Sequence, residues 1–84
     1  MENTDVEVVR LYRLEGESKV KAFVDIAIGE YVVKGLRVVN GPKGLFLGLP
    51  QEKSKDGKWY NVFYPKSKLA LKDLSDKVLA AYQE

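Results

Sequence analysis

The sequence predicts an α+β fold, an antiparallel β-sheet of about four or five strands with one C-terminal helix. Three observations lead to it. Short valine-rich and aromatic segments, several of them alternating between apolar and polar residues, follow one another as far as residue 64. Turn chemistry built on glycine separates them at short intervals. Beyond Pro65 the apolar period changes from two to 3.6, with a serine placed to cap a helix.

Residues 6–14 read as the first strand, with Val6, Val8, Tyr12 and Leu14 on one face and Val9 and Leu11 on the other. After the turn Glu15-Gly16-Glu17-Ser18, a second strand places Val20, Ala22, Val24, Ile26 and Ile28 on one face and Lys19, Lys21 and Asp25 on the other. Gly29-Glu30 fits a two-residue hairpin, because glycine at the first central position supplies the positive φ of a type II′ turn. A third strand covers about 31–39, with Gly35 inside it as a bulge or a point of close approach. The stretch Asn40-Gly41-Pro42-Lys43-Gly44 is a turn, and Leu45, Phe46, Leu47 and Leu49 form a short apolar strand ended by Pro50. Residues 51–58 read as a polar, lysine-rich loop, followed by an aromatic fifth strand carrying Trp59, Tyr60, Val62, Phe63 and Tyr64. Ser67 is the expected N-cap of a helix running to about Gln83, with Leu71, Leu74, Val78, Ala81 and Tyr82 in one apolar stripe and Leu79 at its edge.

A 16-residue helix is about 24 Å long and ~10 Å wide, whereas five strands at ~4.8 Å spacing span roughly 20 Å or more. One helix therefore falls short of covering even one face. With several strands apolar on both sides, a second copy of the protein is expected, covering the open face or extending an edge as a homodimer.

Composition narrows the function. The 84 residues are read as one domain, 1–84, and a chain of this size buries only about 60–65% of its unfolded surface. Histidine and cysteine are both absent, which removes the commonest general base, the commonest metal ligand and every thiol nucleophile. No paired carboxylates, nucleotide-binding glycine loop or metal-ligand set stands out. The expectation is a non-enzyme without cofactor, metal or small-molecule substrate. The acidic start Met1-Glu2-Asn3-Thr4-Asp5 is unlike a signal peptide, and no apolar run approaches the ~20 residues of a membrane span. The chain is therefore placed in the cytoplasm, away from membranes.

The net charge of +2 is unevenly spread: residues 51–72 hold six lysines against two acids. Lys53, Lys55 and Lys58 surround Asp56-Gly57, a pattern shared by a phosphate-contacting loop and by a solvated one. The helix start is more informative. Helix N-termini favour acidic residues, yet Lys66-Ser67-Lys68 enters this one with no acid before Asp73. Free backbone N–H groups flanked by two lysines suit a phosphate. Lys72 with Asp76 and Asp73 with Lys77 are ordinary i,i+4 pairs. Trp59, Tyr60, Phe63 and Tyr64 invite a base-stacking reading, although most aromatics in so small a protein belong to the core, and alternation leaves at most two on one face.

The order of these pieces resembles the SpoVG family, the stage V sporulation protein G or septation-regulator family. The stretch that carries it is Leu36-Arg37-Val38-Val39-Asn40-Gly41-Pro42-Lys43-Gly44-Leu45-Phe46-Leu47-Gly48-Leu49-Pro50, similar to an Ile-Arg-Val core, a glycine turn, Gly-Leu-Phe and a proline. The start Thr4-Asp5-Val6, the Asp56-Gly57 turn, Pro65 and the ending Val78-Leu79-Ala80-Ala81-Tyr82 support it. The resemblance implies a small dimeric protein that binds DNA, and in some members RNA, and affects septation, sporulation and gene expression. It implies binding through Lys53, Lys55, Lys58, Lys66 and Lys68, with Lys72 nearby. Two departures stand out. Glu52-Lys53-Ser54-Lys55 replaces a Lys-Arg-Thr-Pro-type loop and lacks the arginine fork that reads guanine, and Tyr64 stands where many members have histidine. The competing reading is a protein-interaction module acting on the division machinery, its lysines serving solubility alone.

Overall fold

The structure is a computed structural model and describes residues 6–84; Met1–Asp5, including the Thr4-Asp5 start, lie outside the described residues. Strands β1 (Val6–Arg13), β2 (Val20–Ile28), β3 (Tyr31–Gly41) and β4 (Gly44–Gly48) form an antiparallel meander in the order β1-β2-β3-β4. A separate two-stranded ribbon, β5 (Gln51–Lys53) with β6 (Trp59–Asn61), precedes the helix α1 (Lys68–Gln83). The fold is thus α+β, as expected. No helix among the described residues is long and apolar enough to cross a membrane.

The meander follows its turn residues. Gly29 has φ of 60° and no non-glycine residue among the described ones has positive φ, so Glu30 is in the negative region and the β2–β3 turn matches type II′. The β3–β4 connection shrinks to Pro42-Lys43, because Gly41 pairs with Gly44 and the flanking strands reach further than the sequence suggests. Gly35 is indeed a bulge. Its φ is 95°, and Lys34 and Gly35 together stand opposite Asp25.

The first strand differs from expectation. Val8 pairs with Ile26 and Arg10 with Asp25, so Val9 and Arg10 share one partner and β1 carries a bulge of its own. An extra residue reverses every later side chain. Leu11 therefore joins Val6 and Val8 against the core, while Tyr12 is left exposed opposite Phe23.

Ala22, Val24, Ile26, Leu36, Val38, Leu74 and Val78 form the buried core, two strands and one helix meeting on a single face of the sheet. Fully burying an aliphatic side chain contributes roughly 1.5–3 kcal/mol, so these few contacts carry much of the stability. Helix α1 touches β1, β3 and β4 and so reaches both edges of the sheet. Leu45, Leu47, Leu49 and Phe63 close the margins. The helix therefore serves one face after all, because the ribbon has left the sheet and the sheet is four strands wide. Leu71 falls outside the buried stripe and is exposed. Among the described residues nothing covers the opposite face, which displays Tyr12, Phe23, Val32 and Phe46.

Ser67 caps the helix, its hydroxyl accepting from the Ala70 N–H at 3.1 Å. The C-terminal end has no basic residue in its last turn, and Arg13 of β1 takes that place. Its Nη2 donates to the carbonyls of Tyr82 (2.6 Å), Glu84 (3.3 Å) and Ala81 (3.4 Å), and its guanidinium lies 5.4 Å from the Tyr82 ring centroid.

Candidate nucleic-acid interface

Lys53, Lys55 and Lys58 lie on one structural unit, which is a hairpin rather than the loop expected for residues 51–58. Gln51 pairs with Asn61, Glu52 with Tyr60 and Lys53 with Trp59. Gln-Glu-Lys has low strand propensity and neither side of the ribbon is buried, so no apolar alternation marks it in sequence. The aromatic strand, correspondingly, ends at Asn61 and joins β5 instead of the main sheet. Of its side chains Phe63 packs on the core, whereas Trp59, Tyr60, Val62 and Tyr64 are exposed. Three of the four aromatics are thus at the surface, more than alternation within a sheet strand would allow.

The turn is tightly tied. The Ser54 N–H donates to the Lys58 carbonyl at 2.8 Å and the Gly57 N–H to the Ser54 carbonyl at 3.0 Å, with Gly57 at φ 87°. This is the three-residue hairpin connection that ends on a left-handed glycine. The Ser54 hydroxyl donates to the Asp56 carboxylate, which also accepts from the Lys58 N–H at 3.4 Å. Those two bonds, the serine's first, hold the Asp56 pKa below its ordinary value. At the ribbon's base the Val62 N–H donates to the Pro50 carbonyl at 3.0 Å. Lys55 and Lys58 are thereby carried on a defined turn.

Lys66 and Lys68 flank the N-cap, with no acidic residue in the first helical turn. Five of the six lysines, Lys53, Lys55, Lys58, Lys66 and Lys68, make no ion pair among the described residues. Lys72 differs. Its Nζ sits 2.8 Å from Asp76 Oδ2, and the hydrogen bond and charge of Asp76 raise its pKa above the ordinary value. The structure thus groups three lysines on the ribbon and two at the helix start, and gives the sixth a partner. A cavity of about 190 Å³ is lined by Val6, Ile28, Phe63, Tyr64, Pro65, Ala70 and Leu74. Its lining carries no charged group that could orient a polar ligand.

One residue and one pairing escaped sequence reasoning. Arg13 gave no signal, since its partners lie 68 to 71 positions away. The pairing of Trp59 with Lys53 was hidden by the polar strand opposite it, although Asp56-Gly57 between two three-residue flanks could have suggested a hairpin.

The geometry defines a class: α+β proteins with a four-stranded antiparallel meander, one helix on one face and a lysine-bearing hairpin before that helix. The comparisons with known proteins name the family within it. The SpoVG family model matches residues 1–84, and the chain belongs to the SpoVG family. A protein of Archaeoglobus fulgidus named as a septation protein SpoVG is 43% identical over 81 residues, covering 95% of each chain. One from Symbiobacterium thermophilum with the same name is 44% identical over 75 residues, 88% of this chain and 54% of its own. A Listeria monocytogenes protein named SpoVG 1 is 37% identical over 84 residues, 99% of this chain and 79% of that one.

Proposed function

We propose that this chain is a non-catalytic regulator that binds nucleic acid, DNA or RNA, as a cytoplasmic homodimer, and that it acts on septation, sporulation or gene expression. The observation that carries the reading is the set of five exposed lysines without ion-pair partners among the described residues, Lys53, Lys55, Lys58, Lys66 and Lys68, on two elements adjacent in sequence. Lysines held on a tied hairpin and around a helix N-terminus meet phosphates without first giving up a carboxylate. The septation names of the relatives support the cellular setting. The absence of histidine and cysteine supports binding without chemistry. A second copy supplies avidity and an occupant for the bare sheet face.

The test is binding of labelled single- and double-stranded DNA and RNA as a function of salt. Five phosphate contacts give a log–log slope of about −4.5 on duplex DNA, a loss of roughly 500-fold between about 50 and 200 mM salt. Changing Lys53, Lys55, Lys66 and Lys68 together to glutamate should abolish binding while the protein stays folded. The bare face, with Tyr12 and Phe23 side by side, favours a second reading, a protein-interaction module of the division machinery. Under that reading, no nucleic acid binds even at low salt.

A further inference from the structure

The two faces of the β5–β6 ribbon are chemically unlike. Residues paired across an antiparallel ladder share a face, and successive pairs alternate. One face therefore carries Lys53 beside Trp59, with the Gln51–Asn61 pair about 7 Å further along. Those amides are joined side chain to side chain at 2.9 Å, which fixes that they point the same way. The other face carries Glu52 beside Tyr60. Trp59 is 63% exposed although it is the only tryptophan of the sequence and among the largest apolar groups available for burial. Neither the sheet nor the helix packs extensively on the ribbon, and Trp59 is left largely open to solvent.

We propose that Trp59 is a stacking platform for an unpaired nucleobase, and that the protein's preferred ligand is single-stranded nucleic acid running along the Lys53–Trp59 face. The inference rests on the nucleic-acid reading above and deepens it. An indole face takes any base, but only a base freed from its duplex partner can lie flat on it. Lys53, across the ladder from Trp59, brings positive charge to the phosphates beside the stacked base. Glu52 makes the opposite face repel the same backbone, so Tyr60 is not the platform. The Gln51–Asn61 amides leave further donors and acceptors beside Trp59 for a base edge. Every base has a π-face, so the platform is tolerant of sequence, in keeping with a loop that has no arginine fork.

The experiment uses the fluorescence of the native chain, in which Trp59 is the sole indole. Single-stranded DNA and RNA oligonucleotides should each quench Trp59 emission with the same midpoint as their binding isotherm, and the tighter of the two identifies the natural backbone. Inorganic polyphosphate, a polyanion without bases, should leave the emission unchanged. Trp59→Leu should weaken single-strand binding about 5- to 150-fold, the range for losing one stacked base. Trp59→Phe should restore much of it, and duplex binding should change little in either. Single-strand binding without quenching, or at native affinity in Trp59→Leu, would overturn the platform while leaving the regulator reading in place. A native preference for duplex would do the same. Absence of all binding would remove both.

Discussion

Arg13 shows how much one exposed side chain can do when its partners are fixed. The helix ends without a cation of its own, and the guanidinium of a distant strand meets its last carbonyls with the Tyr82 ring beneath it. A cation at a helix C-terminus contributes up to about 1–2 kcal/mol. Arg13→Ala should therefore cost about 1 kcal/mol, a fall in Tm of roughly 4–8 °C for a domain of this size, with the amides of residues 80–84 losing hydrogen-exchange protection first. The other end of the helix was legible in the sequence, because a serine N-cap and the N–H it accepts from are three residues apart. Arg13 was not, because nothing local to Tyr12-Arg13-Leu14 refers to Ala81 or Tyr82. The lysines were equally legible as residue types, and which of them would be partnered followed from i,i+4 spacing for Lys72 and, outside the candidate site, for Lys77.

The ribbon is the element that the sequence concealed. Buried strands announce themselves by alternation, and β2 and β3 were readable on that ground. A ribbon wet on both sides has no such pattern, and its evidence lies in the turn alone. The ionised Asp56 carboxylate is one of the groups that tie that turn, beside its backbone bonds, which gives the turn a pH dependence. The folded pKa lies below the ordinary 3.8, so the carboxylate's contribution is complete above that value and is lost as pH falls through the lowered folded one. The Gly57 and Lys58 amide resonances should hold steady from neutral pH to about pH 4 and then shift together below it, while α1 resonances stay in place. In Asp56→Asn this titration should vanish.

At the scale of the molecule the sheet has one face served by its helix and one that no other described element covers. The periodicity hinted at this, since β1 and the aromatic segments were apolar on both sides, but the assignment of faces failed where a bulge intervened. If a second copy covers the bare face, Phe23→Glu places a charge at its centre, opposite Tyr12. Sedimentation should then report a folded monomer where the native chain gives a dimer. A dimer unchanged by that substitution would put the contact at an edge strand.

The two bulges opposite Asp25 can also be viewed as a change of reading frame. Up to Val8 the first strand presents its even positions to the helix; one surplus residue later it presents the odd ones, Leu11 and then Arg13. The guanidinium that closes the helix is thus on the correct side only because the strand miscounts by one. Were the bulge drawn out into an uninterrupted pleat with every residue kept, Tyr12 would turn inward and Arg13 away from the helix, whereas a variant lacking Val9 removes the surplus residue itself and keeps Leu11 and Arg13 on the helix side. A one-residue insertion or deletion beyond the bulge, which reverses Arg13, is therefore a stronger perturbation than any single replacement there.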